Sequence, residues 1–318
     1  MRSREYSIVW AIGALLAVLV VATPAYFSAD NLRDLFLANV PVLIIAVGAT
    51  LVILTGHIDV SVGSSFAVCG IVAGVLANAG VPVWAAALGA VFTGAVLGAM
   101  NGAFVAYAGI PAIVVTLATM IAWRDALRWV TQGTWVHGLP STFQWLGLPL
   151  NWFPVVVAAL AAALVTAAAV TMRHMAWGRF VYAVGSNREA ARLIGLQPTS
   201  LVFIVLVIAG ALTGVAAVLN AVRFNQIPAN AGLGLELKVI AAVVVGGTAI
   251  QGGRGSIAGT ALGVLLLGLI GPALTFLGVS AYWERAIQGA IILAAVAADA
   301  VRGHLTRAST MGRPPAAA

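Results

Sequence analysis

The chain has 318 residues, of which 62% are hydrophobic and 8% are charged, and its formal net charge is +7. Soluble domains carry about 25% charged residues, so this composition excludes a soluble globular protein. Excess arginine in a membrane protein marks the cytoplasmic side, and nucleic-acid binding is therefore rejected. The uncharged run 60–123 alone has room for three helices of about 20 residues. We expect an all-α polytopic protein embedded in a lipid bilayer.

Ten apolar segments are predicted to span the membrane. With a cytoplasmic N-terminus, the even number leaves the C-terminus cytoplasmic as well. This topology puts ten basic residues on the cytoplasmic side and six on the outer side, in agreement with the positive-inside rule. The eighth segment is short enough to be re-entrant. The predicted spans are 7–27, 35–57, 62–79, 82–107, 111–130, 153–172, 200–221, 239–253, 256–278 and 286–302.

The two ends of the chain differ in character. The first apolar segment follows Arg2 and Arg4 as a secretory signal would, but 22-ATPA-25 is a poor cleavage site, which favours an uncleaved first span. Residues 1–307 are interpreted as a single transmembrane domain. The tail 308–318 is rich in small residues and proline, and it is predicted to be disordered.

The stretch 54-LTGHIDVSVGS-64 places polar groups within a strongly apolar region. Asp59, Ser61 and Ser64 are side chains that commonly start helices, because their oxygens accept from free backbone amides. The first interpretation is a capped helix start. A role in an inner gate or pathway, or direct contact with a transported molecule, are the alternatives.

The loop 131–152 contains Trp135, Trp145 and Trp152. Amphipathic rings concentrate at membrane–water interfaces, so this loop is predicted to be an anchor on the outer surface. Stacking of one tryptophan on a ligand is the alternative.

The segment 173–200 is the longest predicted cytoplasmic connection and holds four arginines. Within it, 187–196 is predicted to form a short helix, with Asn187 as N-cap, Glu189 in the first turn and Gly195 at the end. Such a helix offers a rigid surface for the groove of a partner. The other interpretation is an ordinary surface helix.

Several chemistries lack their motifs in this sequence. The Gly-rich stretch 246-GGTAIQGGRGS-256 has no lysine beside its last glycine, so it does not match a nucleotide-binding P-loop. The four histidines are scattered, and no metal site is predicted. Asp59 and Asp299 are the acids nearest to the interior of predicted spans, which is thin evidence for ion coupling. We expect no enzymatic activity on this chain.

The spacing E-A-A-x-x-x-G at 189–195 resembles the EAA loop of bacterial ATP-binding-cassette import permeases. Further stretches resemble the sugar branch of the branched-chain-amino-acid/monosaccharide permease family, and they follow one another in the family's order over roughly residues 5–302. His57 and Val60 depart from the usual motif, which bears on the choice of sugar. The matching stretches are 58–64, 182–196, 234–256 and 276–293.

The resemblance implies the transmembrane subunit of an ATP-driven monosaccharide importer in the bacterial inner membrane. A second, identical or paralogous permease subunit, two cytoplasmic ATPase subunits and an external sugar-binding protein would complete it. ATP and Mg²⁺ would bind the ATPase, and this chain would hold no cofactor. The family's sugars include ribose, xylose, galactose, rhamnose and autoinducer 2. The implied ATPase-coupling residues are Gly185, Asn187, Arg188, Glu189, Ala190, Ala191, Arg192 and Gly195.

For a sugar pathway we expect neutral hydrogen-bonding groups inside the spans. Each such group has the alternative of bonding its own helix or a neighbouring one. The candidates, together with Asp59 and Ser61, are Asn101, Thr116, Thr119, Thr213, Asn220 and Thr248.

Two rival functions remain at this point. A branched-chain amino-acid permease would share the fold with another cargo, and its zwitterionic cargo would call for charged partners inside the spans. A self-sufficient secondary transporter or channel would work without an ATPase, and its ion dependence would be abolished by substitution of Asp59.

Overall fold

The computed structural model describes residues 2–280, 282–291 and 293–294. The predicted tail 308–318, Asp299 and the end of the tenth predicted span lie outside the described residues. Residues 283–291 are helical. The other α-helices of the described part are α1 Arg2–Ala22, α2 Ala29–Leu54, α3 Val62–Asn78, α4 Val83–Gly102, α5 Ala112–Thr131, α6 Phe153–His174, α7 Ala176–Ser186, α8 Arg188–Leu193, α9 Pro198–Ala221, α10 Leu235–Val245 and α11 Ile257–Phe276.

Each of the first nine predicted spans contains a helix. Among the described residues, six helices are long and apolar enough to cross a membrane: α1, α2, α4 with its π-helical continuation to Tyr107, α6, α9 and α11. The apolar helix α3 is shorter, at 17 residues. The chain is therefore an all-helical membrane protein with several spans. Ten spans and cytoplasmic termini stay predictions.

Two elements differ from the sequence-based expectation. The predicted span 239–253 is helical only to Val245, because Gly247 takes a positive φ of 92° and the chain turns into the loop 246–255. The segment before α8, predicted only as part of the cytoplasmic connection 173–200, forms α7. Its Val181 and Val184 are buried, and packing of this apolar face outweighs the low helix propensity of Gly178 and Gly185.

Glycine sets the packing between α4 and α9. A Cβ atom at Gly94 or Gly98 would overlap the backbone carbonyls of α9, and one at Gly210 would overlap the Gly94 carbonyl. Small residues let membrane helices approach until their backbones touch, which gains van der Waals contact where the hydrophobic effect is absent. These two helices consequently form a tightly packed unit.

The bundle has two distinct ends, which α2 and α9 connect. The C-terminal end of α2 lies against α7, and α9 begins directly after α8; we call this the α8 end. At the other end, Ala38 and Val42 of α2 and Asn220 of α9 line a large cavity, and we call this the cavity end. With a helical rise of 1.5 Å per residue, Val42 lies about 18 Å along α2 from Leu54.

The first helix lies against one of the last. Ile8, Ile12 and Leu19 of α1 form a buried cluster with Leu269 and Ala273 of α11. At the start of α11, the Ser256 hydroxyl donates a 2.9 Å hydrogen bond to the Glu5 carboxylate and accepts one from the Gly259 amide, so it caps α11. The N-terminal helix is thereby joined to the rest of the bundle through α11.

Candidate functional site

The predicted ends of α8 are confirmed. The Asn187 side chain accepts a 2.9 Å hydrogen bond from the Ala190 amide, which is the bond of an N-cap. Gly195 has a φ of 85°, the left-handed conformation that closes a helix at its C-terminus. Pro198 then begins α9. The short helix is thus defined by local sequence at both ends.

The exposed surface of α8 is charged and apolar. Leu193 and Ile194 are 81% and 75% exposed at its C-terminal end. Ala191 is 2% exposed and packs into the core against neighbouring apolar residues of α7 and α9. Ala191, one of the residues implied for ATPase coupling, therefore faces inward and is not part of the exposed surface of α8. The other exposed residues predicted for coupling are Asn187, Arg188, Glu189, Ala190, Arg192 and Gly195.

Gly185 lies in a tight junction beneath α8, together with Gly56, Gly252 and Gly253. A Cβ atom at Gly185 would overlap the Leu54 carbonyl oxygen and come within 2.7 Å of the Gly253 amide nitrogen. A Cβ atom at Gly252 would come within 2.7 Å of the Gly56 amide nitrogen. We call these four residues the glycine junction. It holds the end of α7 against the loops 55–61 and 246–255 largely through backbone atoms, with the Ser186 hydroxyl next to Gly253.

Two further contacts tie α7 and α8 to these loops. The Tyr182 hydroxyl donates a 2.9 Å hydrogen bond to the Gly255 carbonyl oxygen. In the loop 55–61, the ring nitrogen Nδ1 of His57 lies 3.1 Å from the Thr55 hydroxyl. Burial and the positive charge of Arg188 lower the pKa of His57, so α8 and this loop interact electrostatically.

Five of the eight predicted gate or pathway residues form one largely buried polar cluster. Asn101 Nδ2 donates to Ser61 Oγ at 2.9 Å, and the Ser61 hydroxyl donates to Asp59 Oδ1 at 2.6 Å. Thr119 Oγ1 donates to Asn101 Oδ1 at 2.9 Å. Thr116 lies beside them, with its hydroxyl 3.3 Å from the Ile58 carbonyl oxygen. We call these residues the polar cluster; it joins α4 and α5 to the loop 55–61.

The start of α3 is built differently from the expected cap. Asp59 Oδ1 accepts a 2.8 Å hydrogen bond from the Ser61 amide. An aspartate side chain that bonds the backbone two residues further on forms a turn of its own. Ser61 is the N-cap residue, but its side chain makes no capping bond to α3, and the Ser64 hydroxyl donates to the Ser61 carbonyl oxygen. The prediction that the hydroxyls of these serines cap α3 is wrong, because the Ser61 hydroxyl donates its hydrogen bond to Asp59.

The remaining polar candidates lie elsewhere. The Thr213 hydroxyl donates to the Ala209 carbonyl oxygen of its own helix at 2.9 Å. Thr248 Oγ1 is buried and has no hydrogen-bond partner among the described residues. Asn220 lines the cavity at the opposite end from α8 and, within the described part of the chain, makes no hydrogen bond to the polar cluster.

The cavity has a volume of about 1070 Å³ and opens at the end opposite α8. Neutral amides and aromatic rings share its wall with charged groups. Glu236, at the start of α10, lies against Gly63, two residues after Ser61, so that the wall of the cavity borders the polar cluster. The wall includes Phe66, Trp135, Asn220, Gln226, Glu236, Lys238, Glu284, Arg285 and Gln288.

The loop 131–152 folds over this end and does more than anchor the protein. Val136 and Ile227 exchange backbone hydrogen bonds of 3.0 and 2.9 Å, and Phe143 is fully buried. Trp145 packs edge to face against Phe153, 5.1 Å between ring centroids. Trp135 lines the cavity, so it is the tryptophan of this loop that can meet a ligand.

The sequence analysis did not select Glu236 as a site residue. A local signal existed, since this glutamate lies three residues before the apolar run that begins at Val239. Its carboxylate lies against Gly63, which is distant in sequence. Only the fold brings the carboxylate beside the polar cluster.

These features define a class: a helical membrane transport protein with a cavity at one end, a buried polar cluster next to it and an exposed short helix at the other end. The chain belongs to the family of permease components of branched-chain amino acid transport systems, whose family model matches residues 31–296.

Relatives share the chain over most of its length. It is 38% identical over 310 residues to the autoinducer 2 import system permease protein LsrC of Enterobacter sp. (strain 638), covering 96% of this chain and 90% of that protein. The proteins of the same name from Yersinia pseudotuberculosis (serotype O:1b, strain IP 31758) and Yersinia pestis (strain Pestoides F) are 36% identical over 297 residues, 93% of this chain and 85% of each. No solved structure shows significant similarity.

Proposed function

We propose that this chain is the membrane-spanning subunit of an ATP-driven importer that carries autoinducer 2 or a closely related sugar. Family membership and the names of the relatives support a permease subunit with this cargo. The structural observation that supports this proposal most directly is the contact between Glu236 on the cavity wall and Gly63 beside the polar cluster. This contact supports a polar route that leads from the cavity toward the interior of the bundle.

The orientation follows from charge and shape. The α8 end holds Arg188 and Arg192, and the positive-inside rule assigns it to the cytoplasm. The cavity then opens outward and faces the sugar-binding protein. The protein lies in the bacterial inner membrane with about ten spans and both termini in the cytoplasm. A second permease subunit, identical or paralogous, completes the pathway.

Coupling to the ATPase runs through α8. Leu193 and Ile194 insert into a groove of the ATPase subunit, and the arginines of α8 pair with acids on its rim. The glycine junction then passes the displacement of α7 and α8 to the loops 55–61 and 246–255 largely through backbone atoms. Because the loop 55–61 carries Asp59 and Ser61, the movement reaches the polar cluster, which acts as the inner gate. ATP and Mg²⁺ bind the ATPase.

The test is reconstitution of the chain in liposomes with a candidate ATPase and a candidate sugar-binding protein. ATP-dependent uptake of autoinducer 2 that requires both partners is the expected result. Uptake of leucine in place of the sugar would establish the amino-acid permease. Uptake without any ATPase, lost in Asp59→Asn, would establish a secondary transporter.

A further inference from the structure

The cavity wall carries two carboxylates in contrasting situations. Glu284 Oε1 accepts from Gln288 Nε2 at 2.9 Å and lies 3.3 Å from the Lys238 ammonium. This carboxylate is therefore satisfied by the protein. The other, Glu236, has a buried oxygen, Oε2, with no hydrogen-bond partner among the described residues.

The surroundings of Glu236 explain why no protein group satisfies it. The nearby Arg124 attracts it electrostatically but donates its hydrogen bond to the Ala231 carbonyl oxygen at 2.8 Å. A side chain at Gly63 would overlap Glu236 Oε2, so the absence of a Cβ atom there makes room for the carboxylate. The fold thus holds an acidic group on the cavity wall and leaves its Oε2 atom without a hydrogen-bond partner in the described part of the chain.

An unpaired carboxylate inside a membrane protein is costly, and such groups mark sites where a ligand, an ion or a proton is handled. A carboxylate accepts strongly from hydroxyl donors, with charge-assisted bonds that are about twice as strong as neutral ones. The same cavity offers the amides of Asn220 and Gln226, which donate and accept, and the rings of Phe66 and Trp135, which cover apolar faces. A ligand that complements this wall has hydroxyl donors on an apolar carbon frame, as a polyol does.

We propose that Glu236 is a cargo-binding residue that accepts hydrogen bonds from the hydroxyl groups of a neutral polyol held in the cavity. This inference rests on the proposed function and adds a residue and a recognition chemistry to it. The cargo hydroxyls supply the partner that the carboxylate lacks. Release toward the α8 end then requires these bonds to break as the polar cluster opens.

The experiment measures binding to the purified permease–ATPase complex by equilibrium dialysis, without the sugar-binding protein. The probe is autoinducer 2, and the variants are Glu236→Gln and the control Asp125→Asn. Asp125 is exposed and is paired 3.2 Å from Arg128 on α5. Loss of a hydrogen bond to a charged group predicts at least about tenfold weaker binding in Glu236→Gln. The control binds as the wild type does.

Glutamine has the shape of glutamate, and unchanged co-purification with the ATPase and an unchanged unfolding temperature verify that Glu236→Gln folds. Equal binding by Glu236→Gln and wild type would overturn the inference, and so would displacement of autoinducer 2 by leucine at equal concentration. A wild-type complex that transports autoinducer 2 but does not bind it would overturn the inference alone. Failure of the wild type to assemble with an ATPase or to transport would instead overturn the proposed function.

Discussion

The Gly253 amide donates a 2.9 Å hydrogen bond to the Leu54 carbonyl oxygen, which ties the loop 246–255 to the end of α2. Gly185 of α7 lies against both atoms of this bond. Three segments that are far apart in the sequence therefore meet through backbone atoms alone. A junction of this kind transmits displacement, because it contains no long rotatable side chain that could absorb it.

Gly185→Ala is expected to destabilise the protein by about 1–3 kcal/mol, as overpacking does, and to weaken ATPase-driven uptake. The added methyl group collides with the Leu54 carbonyl oxygen. Gly13→Ala in α1 is the matched control, since nothing lies within 4 Å of its Cβ position. Thermal unfolding followed by tryptophan fluorescence compares the two, and equal stability would contradict the tight packing at Gly185.

Leu193→Asp is expected to abolish co-purification with the ATPase while leaving the membrane domain folded. The residue is 81% exposed, and burial of a leucine at an interface contributes about 1.5–3 kcal/mol. Affinity should therefore fall by roughly 10- to 100-fold. Leu193→Met keeps the apolar surface and should assemble normally. Retained assembly of Leu193→Asp would show that the ATPase binds elsewhere.

Within the polar cluster, Thr119→Val leaves Asn101 Oδ1 without the donor that it has at 2.9 Å. A buried acceptor that loses its partner costs about 1–3 kcal/mol. The control is Thr213→Val, because that hydroxyl bonds the backbone of its own helix. We expect Thr119→Val to unfold at a lower temperature and to leak sugar from proteoliposomes without ATP. If Thr119→Val unfolded at the wild-type temperature and its proteoliposomes did not leak sugar, the polar cluster would not be the gate.

Acid should destabilise the loop 55–61 through His57. Its pKa is lowered from the ordinary 6.5 by burial and by Arg188. As the pH falls below about 6.5, His57 becomes protonated in the unfolded chain but stays neutral in the folded chain. The free energy of unfolding therefore decreases with falling pH until the folded-state pKa of His57 is passed. Unfolding temperatures at pH 7.5 and 5.5 measure the effect.

His57→Asn should reduce the difference between the two pH values. Arg188→Gln should also reduce it, because the charge that lowers the pKa of His57 is then gone. An unchanged difference in both variants would show that another group is responsible.

Hydropathy predicted the helices well because each span must satisfy its backbone internally. The capped ends of α8 were equally readable, since Asn187 and Gly195 act on their own turn. The sequence did not predict α7, nor that α10 ends as early as Val245. Helix α7 is stabilised by packing of Val181 and Val184. Helix α10 ends in a glycine turn whose sequence also fits a membrane span.

The sequence predicted which residues belong to the candidate site better than it predicted how they are arranged. Asp59, Ser61, Asn101, Thr116 and Thr119 were chosen one by one as polar residues in apolar surroundings, and the fold joins them in one cluster. Asn220 was chosen on the same grounds and lies in the cavity. Polarity identifies candidates, but contacts between distant helices decide which of them touch.

The contact between α1 and α11 has a consequence for synthesis. Glu5 reaches its partner Ser256 only after 251 further residues have been added. During translation the first helix enters the bilayer long before α11 exists, and until then only the residues that follow it directly, such as Tyr26 and Leu35, can cover its apolar face. Closure of the N-terminal helix onto the bundle is accordingly a late event in biogenesis, and a chain truncated before α11 leaves that helix unanchored.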